Sequence, residues 1–365
     1  MHSAPIAFQP FNTLSDADCQ ERIRAARARL GKKAVILCHH YQRADVYQHA
    51  DLTGDSLKLA KLAAQTDAEY VVFCGVHFMA EVADLMTSPQ QTAILPDLAA
   101  GCSMADMANL AKVERCWREL SSVLDAENEV TPVTYINSAA DLKAFCGEHG
   151  GIVCTSSNAG TIAQWAFAQR PKILFFPDQH LGRWTGHKLG FPMDEMVVWD
   201  PDLEMGGLTP EQIRKARILL WKGHCSVHQM FQKPQIDAFR AKYPEGRVIA
   251  HPECNFAVCA AADYVGSTEH IVKTIKEAEN GTRWLVGTEL NLVDRLAREV
   301  LPQDKIVQFM ATTICMCSTM QRIDPQHLAW TLENLAEGKV VNPIKVPAHE
   351  VAFARLALDR MLEIS

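Results

Sequence analysis

The sequence predicts an α/β protein built from three similar units, each a parallel sheet covered by helices on both faces. Three observations predict it. Short Val/Ile-rich runs alternate with helix-like stretches along most of the chain. The pattern recurs with a period of about 90 to 100 residues. Similar polar residues collect where each run meets its following loop.

The elements follow in order. The first 30 residues form an extension expected to bear an amphipathic helix. Unit one then carries KKAVILCHH, AEYVVFCGVHFMAE and QTAILPD. Unit two carries VTPVTYINS, GGIVCTSSNAGTIA and PKILFFPD. Unit three carries GRVIAHPE, AADYVGSTEHIVK and TRWLVGTEL. Helical stretches such as DSLKLAKLAAQT, SAADLKAFCGEHG and HIVKTIKEAEN lie between the runs. The expected domains are 1–124, 125–222 and 223–310, with segment 311–365 returning to the first.

The bulk numbers narrow the function. The chain has 365 residues, 48% hydrophobic and 22% charged, which is an ordinary globular composition. Its formal charge is −7, so charge offers no case for nucleic-acid binding. No run of eighteen apolar residues occurs, so no membrane span is expected. The N-terminal stretch lacks the basic and apolar segments of a secretory leader, and a cytoplasmic location is expected. Twelve cysteines in a reducing compartment should be thiols, metal ligands or catalytic groups rather than a disulfide framework.

Most cysteines have a plain explanation. Cys38, Cys74 and Cys154 end apolar runs and read as small buried hydrophobes. Cys19, Cys116 and Cys146 stand in helical surroundings without partners in sequence. Cys102, Cys225, Cys254, Cys259, Cys315 and Cys317 stay open. No CxxC pair and no CxxCxxC run occurs, so local spacing selects no ligand set. Cys102, Cys225 and Cys317 each precede a serine and fall one per repeat. Three thiolates from three units could meet on a pseudo-threefold axis and leave one metal position open. Coincidence among twelve cysteines is the competing account.

Ligands bind at the carboxyl ends of strands in open parallel sheets, and three such ends could build one central site. His39, His40 and Tyr41 follow the first run of unit one, a grouping suited to acid/base or ligand work. His251 and Glu253 flank Pro252 at the equivalent place in unit three. Glu253 can act as a general base there, or serve as a helix cap or ion pair. Ser56, Ser156, Ser267 and Thr268 lie near strand-to-helix junctions, where hydroxyls and helix amides can hold an anion. Neither GxGxxG nor GxxxxGK[ST] occurs, so nucleotide binding has no support.

Ordered motifs carry a family resemblance: CHHYQ, GDSLKLA, CGVHFMAE, LPDLAAGCSM, TYINSAA, CTSSNA, FPDQHLGRW, WKGHCSVHQMF, AHPE, ADYVGST and CSTM. From about residue 33 onward the chain resembles the quinolinate synthase (NadA) family. The resemblance implies three pseudo-symmetric, three-layer α/β/α domains around a central 4Fe-4S cluster. It implies Cys102, Cys225 and Cys317 as the three ligands, because Cys317 stands three residues before Met320 and Cys315 does not. It implies condensation of iminoaspartate with dihydroxyacetone phosphate to quinolinate, phosphate and water, with the cluster as a Lewis acid in NAD biosynthesis. Functional coupling to an L-aspartate oxidase is implied as well.

Residue roles come with the resemblance. It assigns His39 and Tyr41 to an H-x-Y pair, with Tyr41 moving a proton and position 40 variable. It assigns Glu253 to the general base, with His251 beside it, and Tyr135 and Asn137 to substrate orientation. Ser56, Ser156, Ser267 and Thr268 would hold phosphate or carboxylate oxygens. Met79 would pack near the cluster, and Gln179 replaces a lysine found in some members. The remaining alternatives are an aconitase-like iron–sulfur hydro-lyase, a non-catalytic iron–sulfur or zinc sensor, and a metal-free protein with all cysteines in the core.

Overall fold

The computed structural model describes residues 6–314 and 316–364. Helix α1 (Asp16–Leu30) starts at the Ser15 cap, whose hydroxyl oxygen accepts from the Asp18 N–H at 3.2 Å. It buries Cys19, Ile23, Ala26 and Leu30, a stripe at helical spacing.

The first sheet follows as β1 (Ala34–His39), α2 (Ala44–Tyr47), β2 (Leu52–Gly54), α3 (Ser56–Gln65), β3 (Tyr70–Cys74), α4 (His77–Met86) and β4 (Thr92–Ile94). These strands pair in parallel in the order β2-β1-β3-β4. Helices α5 (Leu110–Ser121) and α6 (Ala126–Glu129) lead into β5 (Val130–Tyr135), α7 (Ala140–Glu148), β6 (Ile152–Cys154), α8 (Ala159–Gln169), β7 (Lys172–Phe176) and α9 (Gln179–Lys188). Then come β8 (Met196–Trp199), α10 (Pro210–Lys215) and β9 (Ile218–Trp221), giving a parallel sheet β6-β5-β7-β9-β8.

The third sheet is built from α11 (Lys233–Lys242), β10 (Arg247–Ala250), α12 (Phe256–Ala261), β11 (Tyr264–Val265), α13 (Thr268–Glu277), β12 (Arg283–Gly287), α14 (Leu290–Val300) and β13 (Ile306–Phe309). Its order is β11-β10-β12-β13, again parallel. The chain ends with α15 (Pro325–Ala336), β14 (Pro343–Ile344) and α16 (Ala348–Ile364). α15 packs on α1, and β14 adds antiparallel to β4. By contacts the chain divides into two compact units. One holds the residues up to Gly101 with Cys317–Val346, and the other Cys102–Met316 with the segment from Pro347.

The third sheet shows why both faces need helices. Val248, Ala250 and Leu285 pack with Phe231, Ile236 and Phe239 and with Val258 of α12. Ile249, Trp284 and Val286 face the other way, onto Ile271 and Ile275 of α13 and Val293 and Leu296 of α14. Alternating strand residues thus feed two apolar layers, as parallel strands buried on both faces require. This is the expected α/β/α layering.

The repeat differs in register from the three-run reading. Each sheet has a four-strand parallel core with one order: β2-β1-β3-β4, β6-β5-β7-β9 and β11-β10-β12-β13. The counterpart of β6 and β11 is the short β2, not AEYVVFC, which matches β7 and β12. The fourth strands β9 and β13 complete the pattern. β2 escapes a periodicity reading because LTG is three residues long, ends in glycine and pairs on one side only.

α16 lies along α7 at the second sheet. The approach is so close that a Cβ on Gly147 would collide with the Phe353 carbonyl oxygen. Gly147→Val should therefore cost about 2 kcal/mol or more through overpacking. Urea unfolding checks this; an unchanged midpoint would contradict the close approach.

Candidate functional site

In each sheet the strand order reverses between the first and third core strands, which opens a crevice at their carboxyl ends. The first-strand ends share a local device. His39 Nδ1 accepts from the Tyr41 N–H at 3.1 Å, and His251 Nδ1 accepts from the Glu253 N–H at 3.3 Å. Each link fixes the neutral ring with its proton on Nε2 and seats the following functional residue. The His39 and Tyr41 rings lie 4.6 Å apart, edge to face. His40 is buried and its Nδ1 is 3.2 Å from the Tyr47 hydroxyl. At the end of β5 the turn is held differently. Ser138 Oγ donates to Tyr135 O at 2.8 Å, and the buried Lys143 ammonium donates to Ser138 O. Asn137 Oδ1 is buried there without a hydrogen-bond partner among the described residues.

The second-strand ends carry the hydroxyls. Ser56 opens α3, whose cap is Asp55, accepting from the Lys58 N–H at 3.0 Å. The turn at Ser156 is held by Asn158 Oδ1, which accepts from the Thr155 N–H at 2.6 Å. Neighbours thus do the capping, and the half-buried Ser56 and Ser156 make no side-chain hydrogen bond among the described residues. Ser267 is itself the cap of α13, accepting from the His270 N–H at 3.3 Å, with Thr268 buried beside it.

One cluster stands at the ends of the second and third sheets. The Tyr135 hydroxyl donates to Glu253 Oε1 at 2.6 Å. His228 Nδ1 lies 2.9 Å from Glu253 Oε2, and its ring stacks on His251 at 4.8 Å. His228 Nε2 is 3.3 Å from the Thr288 hydroxyl. The Gln229 amide donates to Glu253 O at 3.1 Å. Burial alone would raise the Glu253 carboxyl. The His228 imidazole, with hydrogen bonds from His228 and Tyr135, outweighs it and holds the group below the usual carboxylate range. Burial pushes His251 down to about 3, so its ring is neutral near pH 7. Asp178, buried at the start of α9, is pushed well up by burial and then by the Glu253 charge. His228, Asp178 and Thr288 were not singled out from the sequence. For His228 a signal existed, since it stands three residues after Cys225.

Burial separates the cysteines. Of the eleven described, eight are buried and three are half-buried, namely Cys102, Cys225 and Cys317. These three follow the fourth core strands β4, β9 and β13. Each sits in the same turn. The cysteine carbonyl accepts from the N–H four residues on: Asp106 at 3.0 Å, Gln229 at 3.2 Å and Gln321 at 3.0 Å. A single 3-10 turn then begins three residues after each cysteine, at Ala105, His228 and Met320. Burial raises the thiols of Cys116, Cys154 and Cys254 well above the usual range and Cys259 to about 12, so these are inert. Cys225 Sγ, a His228 ring nitrogen and a Glu253 oxygen lie within 4.8 Å of one another, close enough to share a metal ion. Cys315 lies outside the described residues. Met79 is buried, with its sulfur over Gly75. Gln179 opens α9, its N–H donating to Gly223 O at 3.1 Å.

Comparison with known proteins places this arrangement in a family. No described helix is long and apolar enough to cross a membrane. The quinolinate synthase of Herpetosiphon aurantiacus is 57% identical over 354 residues, covering 96% of this chain and 94% of that protein. That of Acidobacterium capsulatum is 56% identical, with coverage of 96% and 94%. That of Streptomyces coelicolor is 54% identical, with coverage of 96% and 89%. A family model described as quinolinate synthetase A protein matches residues 21–363. With that match spanning nearly its whole length, the chain belongs to the quinolinate synthetase A (NadA) family.

Proposed function

We propose that this enzyme condenses iminoaspartate with dihydroxyacetone phosphate to quinolinate, inorganic phosphate and two waters, a step of NAD biosynthesis. The observation that carries the proposal is the buried Glu253 carboxylate, held ionised by Tyr135 and His228 beside Cys225. A desolvated, ionised carboxylate beside a phenol is suited to taking a proton from carbon while the phenol supplies one to oxygen. We assign Glu253 the base role in enolisation and ring closure. Tyr135 and Asn137 orient the substrate, and His251 offers the Nε2–H that its backbone link leaves outward. His39 and Tyr41 form the second acid/base pair. Ser56, Ser156, Ser267 and Thr268 hold carboxylate or phosphate oxygens through hydroxyls and helix amides.

The donor set fits an iron–sulfur cluster. Cys102, Cys225 and Cys317 share one turn type and one degree of burial, unlike the eight buried thiols. We assign these three as ligands of a 4Fe-4S cluster. Bound there, the cluster supplies a Lewis acid at an iron that the protein leaves open. We read the three sheets as the cores of three domains. Since iminoaspartate hydrolyses readily, we also propose functional coupling to the L-aspartate oxidase that supplies it.

Three measurements test the proposal. Cys102→Ser, Cys225→Ser and Cys317→Ser should each lose the cluster, read as iron and sulfide content and absorbance near 400 nm after anaerobic purification. Cys259→Ser and Cys315→Ser should retain it. A colourless wild-type protein would remove the cluster assignment. Glu253→Gln should keep the cluster and lower quinolinate formation at least about a hundredfold. Unchanged turnover would take the base role from Glu253. Cluster-loaded wild type that forms no quinolinate from the two substrates would refute the condensation.

A further inference from the structure

We propose that Arg183, with His180 one turn before it on α9, is an anion-anchoring subsite for an oxyanion of the substrate, either a carboxylate of the dicarboxylate or the phosphate of the triose phosphate. The inference rests on the condensation reading for its substrates and on the structure for its place.

α9 starts directly after β7, which pairs with β5, the strand that ends in Tyr135. Its first turn therefore opens at the same carboxyl-end crevice. The turn is tightly set. Asp178 accepts from the His180 N–H at 2.9 Å and the Leu181 N–H at 3.4 Å. The Gln179 N–H reaches Gly223 O, two residues before Cys225. On the following turn Trp184 lies 6.1 Å and His187 5.0 Å from Phe256, three residues after Glu253. The start of α9 is thus tied to the Cys225 loop and its body to the helix after Glu253.

Arg183 is half-buried, yet it makes no hydrogen bond or ion pair among the described residues. Several other half-buried arginines are satisfied by acceptors, and Arg283 stacks on the Tyr243 ring at 4.1 Å. Arg170 donates to Val130 O and His149 O, Arg43 to Asp45, and Arg360 to Gly151 O. A guanidinium that has lost water without gaining an acceptor is costly, and a planar oxyanion repairs the deficit in bidentate fashion. The His180 ring likewise makes no hydrogen bond among the described residues. Its pKa is pushed down to about 4, by burial first and then by the charges of Arg183 and His224, so near pH 7 it is a neutral donor. Both proposed substrates are anions, Glu253 adds a negative charge, and the serines supply hydroxyls without charge. Arg183 supplies the fixed cation that this balance needs.

The test uses the cluster-loaded, full-length enzyme. Arg183→Gln and Arg183→Met remove the charge, Arg183→Lys keeps it, and the exposed Arg298→Gln is the control. Calorimetry measures binding of inorganic phosphate and of quinolinate, and steady-state kinetics gives KM for each substrate. Charge removal should weaken one probe about ten- to a hundredfold and raise the KM of the matching substrate alike, with kcat changed less than about threefold. Iron content and melting temperature should hold, and Arg183→Lys should recover part of the affinity. Loss of phosphate binding assigns the phosphate; loss of quinolinate binding assigns a carboxylate. Unchanged affinity for both probes overturns the proposal. If wild type formed no quinolinate, the condensation would fall, while the two binding measurements would still decide the subsite.

Discussion

A carboxylate with no access to water must find donors, and Glu253 finds them in two separate parts of the chain. Tyr135 comes from the end of β5 and His228 from the turn after β9, while Glu253 itself follows β10. Ionisation of Glu253 requires that the second and third sheets stay in register at these ends. Removing one donor would leave an uncompensated buried charge, which costs more than an ordinary hydrogen bond. The neutral state of His251 follows from its burial, and its Nδ1 is committed to the Glu253 N–H.

The repeat explains how such a cluster forms. Each sheet has the same strand order, so equivalent loops arrive at equivalent places. First strands deliver H-x-Y, Y-x-N and H-x-E. Second strands deliver serines at helix starts. Fourth strands deliver Cys-Ser turns with one backbone pattern. Two of the three first-strand ends also share the backbone link to a histidine Nδ1, at His39 and at His251.

Much of the fold was legible because parallel strands buried on both faces leave long Val/Ile-rich runs, as in AVILCH and KILFF. The edge strand LTG was not legible, since three residues paired on one side carry no period. That single omission shifted the alignment of the first repeat against the others. His228 was hidden for another reason: its meaning depends on Glu253, 25 residues later, and on Tyr135, far earlier in the chain.

The sequence by itself determined the α/β class, the threefold repetition, and the polar residues at strand ends. These follow from local periodicity and composition, which each segment carries within itself. It marked Cys38, Cys74 and Cys154 as buried from the apolar runs that they end, but local spacing alone selected no ligand set among the rest, because the burial of a loop thiol is set by distant packing. Of the eleven described cysteines, the tertiary structure buries eight and leaves three half-buried, those three in the same turn. It also decided the ionisation of Glu253 and left Arg183 without a hydrogen bond or ion pair among the described residues, since both depend on which groups long-range packing brings near.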